Sequence, residues 1–272
     1  MSESLHNSWG KKFGRSNVPS LEQIDTLGKE RLEDARKQIE VIAESLRDLA
    51  QKIEDEKPDV LVFLDVSARL LGSPYKKYLS ERMGRASPRV LYYNDQDLKG
   101  LFLRNGKMDE KAQQDFRELQ GKKVFFIDET FSEGKGAGAI LSAAEIVGMD
   151  AQYVAITRDP DAPKSEYIIG DVEKAISRFQ QKGKVIVYGN PIHNLFSRFG
   201  SRLYVEDAGG ETRSLHKKVS ADPSNTIPSA NSYVVPPSGM SVDEYNKQVS
   251  EILGKVGREM KDVVYQTLKA GE

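Results

Sequence analysis

The stretch from Lys123 to Ile140, KVFFIDETFSEGKGAGAI, constrains this chain more than any other. Four apolar residues, Val124 to Ile127, read as a buried strand. Asp128 and Glu129 follow, then a short polar run, then Gly134, Gly136 and Gly138. Small and apolar residues at helical spacing continue to Val147. The order is therefore strand, loop, helix start. In an open α/β sheet, ligands bind beyond the carboxyl ends of the strands, where this loop falls. Free backbone N–H groups at a helix start favour an anion such as phosphate. Two strand-end carboxylates suit sugar hydroxyls or a divalent cation.

At 272 residues the chain can bury a sizeable core, as one large domain or one with appendages. The net charge of −1 gives no global basic excess and no clear nucleic-acid signal. The absence of cysteine excludes disulfides, thiolate metal sites and cysteine nucleophiles. The three histidines, His6, His193 and His216, are not spaced as a metal pair. No apolar run approaches the roughly 20 residues that span a bilayer. The N-terminus lacks the apolar core of a signal peptide. These features predict a cytoplasmic protein with no membrane partner.

In chain order, residues 1–20 are polar and read as a loose arm anchored at most by Trp9 and Phe13. Residues 21–56 read as a helix. Its apolar stripe, Leu32, Ala35, Ile39, Ile42, Leu46, Leu49 and Ile53, advances in steps of three and four. Such a helix lies on a domain or forms a short coiled-coil arm, the latter implying a homodimer through the terminal helices. Residues 57–207 alternate strand and helix patterns, with strands at 59–65, 88–94, 124–127, 151–157, 184–189 and 201–207. That alternation predicts an α/β domain with a mostly parallel sheet flanked by helices. Residues 95–121 are a polar excursion of the kind that forms lids, carrying Lys99, Arg104 and Lys107. Residues 208–240 are loop-rich. Residues 241–272 form a second long amphipathic helix, opened by Ser241 with Glu244 in a capping box.

The segment VFFIDETFSEGKG resembles, in order and spacing, the motif with which type I phosphoribosyltransferases bind 5-phosphoribosyl 1-pyrophosphate (PRPP). One strand earlier, LDVSARLLG resembles that family's pyrophosphate loop. It looks closer still to a bacterial phosphoribosyltransferase-like group with a Leu-Asp-x-Ser-Ala-Arg signature. The likeness covers about residues 57–160. It implies that Asp128 and Glu129 bind the ribose hydroxyls and serve catalysis. It also implies that Ser132, Glu133, Gly134, Lys135, Gly136 and Ala137 cradle the 5-phosphate. Val66, Ser67, Ala68 and Arg69 would then face the pyrophosphate. Mg²⁺ is the implied cofactor, held mainly by substrate oxygens rather than by a protein metal site.

Two places where the family's loop carries threonine hold Glu133 and Gly136 here. Glu133 brings negative charge toward a dianion, and Gly136 lacks a hydroxyl donor; Ser132 and Lys135 are candidates to compensate. Three readings follow. The chain is a phosphoribosyltransferase acting in nucleotide metabolism with an unidentified acceptor, or a non-catalytic PRPP or nucleotide sensor on the same fold, or a scaffold whose loop binds nothing.

Overall fold

A computed structural model describes residues 20–93, 110–131, 134–158, 170–189, 204–206, 212–214 and 240–271. Contacts divide the chain into two compact units. One holds residues 36–197 and 261–272, and the other residues 1–35 and 198–260, so the division falls inside both long terminal helices.

The first unit is a parallel α/β sheet. Five strands, β1 (Val60–Leu64), β2 (Arg89–Tyr93), β3 (Lys123–Phe131), β4 (Asp150–Arg158) and β5 (Val185–Val187), lie in the order β2-β1-β3-β4-β5. Every neighbouring pair in it is parallel. The central strands carry near-continuous apolar runs, as strands covered on both faces must. Val60 to Leu64 and Val124 to Ile127 are all buried.

Helices α3 (Asp65–Met83), α4 (Glu110–Arg117), α5 (Lys135–Val147) and α6 (Gly170–Gln181) make the crossovers. Val124 and Phe126 share one core cluster with Phe116 just inside the end of α4, with Ile140 and Ala144 of α5, and with Ile176 and Phe179 of α6. On the opposite face, Phe63 lies 6.0 Å from the Tyr75 ring of α3. The Tyr75 hydroxyl donates to the Leu46 carbonyl at 2.5 Å, tying α3 to α2 (Ala43–Glu56). So α3 and α5 cover opposite faces of the sheet. This follows from right-handed crossovers that leave the sheet centre in opposite directions.

Helix α1 (Leu21–Val41) precedes α2, and a single turn residue, Ile42 (φ −98°, ψ 8°), separates them. The Leu46 N–H still bonds the Ile42 carbonyl at 3.0 Å, so the expected long helix is hitched rather than interrupted. The apolar stripe from Leu32 to Ile53 is buried within the chain itself.

In the second unit, α7 (Val242–Lys269) begins on the expected cap. The Glu244 N–H donates to Ser241 Oγ at 3.1 Å. A Cβ on Gly28 would come within 2.8 Å of Val256 Cγ2, which shows how closely the first part of α1 and α7 pack. Residues 204–206, within the expected last strand of the α/β domain, pair antiparallel with residues 212–214 as β6 and β7. A three-residue strand with a partner only six residues away closes a cheap local loop, and local pairing wins. Among the described residues no helix is long and apolar enough to cross a membrane.

Candidate functional site

From β1 the chain passes to β2 on one side, and then crosses to β3 on the other. The point between β1 and β3 is therefore the topological switch of the sheet. There the helices leave on opposite faces, and in open α/β sheets the binding crevice forms at such a point, outside the carboxyl ends of the strands. The strands of both sequence motifs end at this switch point.

On the β3 side, residues 132–134 separate the strand from α5. Gly134 is the N-cap, in the left-handed region at φ 74°. A Cβ there would meet Phe131 Cζ at 2.8 Å and Ile176 Cδ1 at 2.9 Å. Glycine is thus required twice, by backbone angle and by space. The first bond of the helix runs from the Gly138 N–H to the Gly134 carbonyl, at 2.8 Å. The N–H groups of the first turn, including those of Lys135, Gly136 and Ala137, have no partner within the helix. Gly136 is exposed with nothing within 4 Å of its virtual Cβ, whereas Ala137 is buried. Ser132, Glu133 and the Lys135 side chain lie outside the described residues.

On the β1 side the expected loop is absent. The strand ends at Leu64, extended at φ −87° and ψ 140°, and α3 starts at Asp65. Val66, Ser67, Ala68 and Arg69 therefore form the first turn of a helix. Ala68 is buried; the side chains of Val66, Ser67 and Arg69 are outside the described residues. What these residues present to the crevice is a helix N-terminus, with its unpaired amides and positive dipole end. Neither N-cap residue, Leu64 or Gly134, supplies a side-chain cap.

Between the two helix starts lie the acids. The sequence places them at a strand end, but β3 continues through them to Phe131 and so extends past β1. Pairing with β4 runs from Lys123–Asp150 to Phe131–Arg158, with a registered partner for every residue of β3 except Glu129. Thr157, fully buried, anchors this extension: its hydroxyl donates to the Glu129 carbonyl at 3.0 Å and lies 3.1 Å from Thr130 Oγ1. Asp128 meets Tyr153, whose ring lies in the α5-face cluster with Val124 and Phe126. Glu129 is only 8% exposed.

Asp128 is half-buried and held from two directions. The Tyr153 hydroxyl donates to Oδ2 at 2.5 Å, and the Glu129 N–H donates to Oδ1 at 2.8 Å. Tyr153 sits opposite Phe126 on β4, so its ring reaches diagonally toward Asp128. Its edge packs at 6.3 Å against Phe131. Burial, reinforced by the Asp128 charge and hydrogen bond, pushes the Tyr153 phenol well above its ordinary pKa, so it stays a donor. The sequence reading did not include Tyr153. The available signal was a polar aromatic residue inside an otherwise apolar strand, AQYVAIT.

Arg158 is exposed at the end of β4. Asp159, the candidate lid residues Lys99, Arg104 and Lys107, and His193 lie outside the described residues.

No known family profile matches the sequence, and no curated protein matches it. Among solved structures, a purine phosphoribosyltransferase from Pyrococcus horikoshii is similar at a TM-score of 0.32 and 12% identity, over 54% of this chain and 81% of that one. An HGPRT-ase from Leishmania tarentolae in complex with GMP is similar at a TM-score of 0.32 and 9% identity, over 56% of this chain and 76% of that one. Likeness at that level decides neither family nor chemistry, so the reading of the site rests on its own residues.

Proposed function

We propose that the crevice between β1 and β3 binds PRPP, or a closely related phosphorylated ribose, together with Mg²⁺. On this reading the chain is a phosphoribosyltransferase-like protein that transfers ribose 5-phosphate to an acceptor. The observation that carries it is the pair of helix starts without side-chain caps, one on each face of the switch point, with Asp128 between them. The α5 start, with residues 132–137, suits the 5-phosphate. The α3 start, with residues 66–69, suits the pyrophosphate. The two helix dipoles and their free amides favour both anions. Asp128 is an acceptor for ribose hydroxyls.

In the transfer, the acceptor's lone pair forms a bond to ribose C1. The bond from C1 to the pyrophosphate oxygen breaks, and pyrophosphate leaves with the electron pair. Donors placed where the leaving charge develops lower the barrier to that step.

The residues fit Mg²⁺ as an ion carried by the substrate. Among the described residues, no three His, Asp or Glu side chains gather as a metal cage. Mg²⁺ commonly takes most of its ligands from phosphate oxygens and water. When bound it would supply positive charge against the departing pyrophosphate.

A second reading, PRPP or nucleotide sensing without turnover, is favoured by the acids themselves. Glu129 is buried, and Asp128 is already held by Tyr153. Gly136 also brings no hydroxyl to the phosphate.

Calorimetry with PRPP and Mg²⁺, followed by pyrophosphate release across a panel of nucleobases, separates the two. Saturable heat with release supports transfer, and saturable heat without release supports sensing. No binding at millimolar ligand sinks both.

A further inference from the structure

We infer that Tyr153 is a positioning residue, whose hydroxyl holds the Asp128 carboxylate in one rotamer at the mouth of the crevice. The role assigned to Asp128 rests on the phosphorylated-ribose reading of the site; the contact itself does not.

Packing alone does not call for this pair. Tyr153 is 3% exposed within the cluster of Val124, Phe126 and Phe131, where a phenylalanine would fill the same volume. Burying a hydroxyl in such a layer is unfavourable unless it finds an acceptor. Aspartate is likewise a poor strand residue. Each becomes tolerable through the other, at 2.5 Å. The Phe131 edge fixes the Tyr153 ring, and Phe131 itself packs beneath the αL turn at Gly134. The chain of contacts thus runs from the phosphate turn, through Phe131 and Tyr153, to Asp128. Donors on both oxygens set the carboxylate plane. A carboxylate oriented before binding loses less rotamer entropy when the ligand arrives.

The test uses the full chain and Tyr153→Phe, which keeps the ring. In the ligand-free protein, three-bond couplings between Hα and Hβ of Asp128 read its rotamer. A single rotamer in wild type that averages in Tyr153→Phe is expected. Averaging already present in wild type, or a single rotamer kept in the variant, overturns the inference.

Affinity for PRPP and for ribose 5-phosphate is then measured in a double-mutant cycle with Asp128→Asn. Tyr153→Phe should weaken binding about ten-fold on its own, the loss of one charge-assisted hydrogen bond. On the Asp128→Asn background it should weaken binding less than about two-fold, because the effects share one route. Equal losses on both backgrounds overturn the inference. Failure of wild type to bind either ligand sinks the phosphorylated-ribose reading, while the couplings still decide whether Tyr153 positions Asp128.

Discussion

At the β3–α5 junction the chain places residues 132–134 between strand and helix and turns on a left-handed glycine; at the β1–α3 junction it passes from Leu64 into the helix directly. Both junctions bring a helix start to the same end of the sheet. The first is built around close contact: Gly134 sits against Phe131 and Ile176, and no side chain fits there. The second relies on register alone, since β1 stops where β3 continues. The start of α7 is different again, because Ser241 caps it. A capping side chain satisfies amide donors that a ligand would otherwise use. Leu64 and Gly134 supply no such side chain.

The largest expected effect is on the acids between the junctions. Replacing both, Asp128→Asn with Glu129→Gln, should weaken PRPP binding by about 100-fold or more, since hydrogen bonds to charged groups contribute roughly 1.5–3 kcal/mol each. Calorimetry on the single variants sharpens the comparison. Asp128→Asn should account for most of the loss, because Glu129 is buried and Asp128 only half-buried. Equal losses from the two singles would show that both carboxylates reach the ligand.

Next comes the turn itself. Gly134→Ala should cost about 2–4 kcal/mol in denaturant unfolding, from the left-handed backbone and the clash with Phe131 together. It should also abolish any phosphate-induced shift of the α5 amides in NMR. Gly136→Ala should do the opposite to stability. It is an exposed helical glycine with open space around it, so alanine should raise stability by about 0.5–1 kcal/mol. Equal costs at positions 134 and 136 would show that the turn is not held by contact.

The smallest effect lies at the amino end of the sheet. Burial alone would raise the Glu56 carboxyl, but hydrogen bonds and charge from Lys123 and Lys52 more than offset it and hold the pKa below its usual value. Gln152 adds a further bond at 3.1 Å. A carboxyl depressed in the folded state stabilises above its unfolded pKa, and that stability is lost as pH falls through the folded value. Glu56 is partly solvated, so the contribution is expected below about 1 kcal/mol. Glu56→Gln should flatten the acid limb of the stability profile slightly and leave ligand affinity unchanged. A change in affinity would mean that the two ends of β3 are coupled.

Much of this was legible in the residues. The unbroken apolar run at Val124 to Ile127 belongs to a strand covered on both faces, which gives the parallel α/β class. Gly134, in its place before a small-residue helix, marks a turn that other residues do not readily adopt. Spacing alone placed Ser241 as a cap. The positions of the site residues were less legible. Asp128 and Glu129 are neighbours in sequence, and a strand-end reading puts them together.

What the sequence determined by itself is local: periodicity, punctuation by glycine and proline, and the chemical types that can meet phosphate and ribose. What only the tertiary structure decided is how far each strand runs and therefore which way its side chains point. Strand β3 continues past Ile127 because β4 offers a partner there and Thr157 bonds the Glu129 carbonyl. That extension brings Asp128 to Tyr153 and leaves Glu129 buried. The physical reason is that a strand's end is set by the hydrogen-bonding groups of its neighbour, which local sequence does not contain.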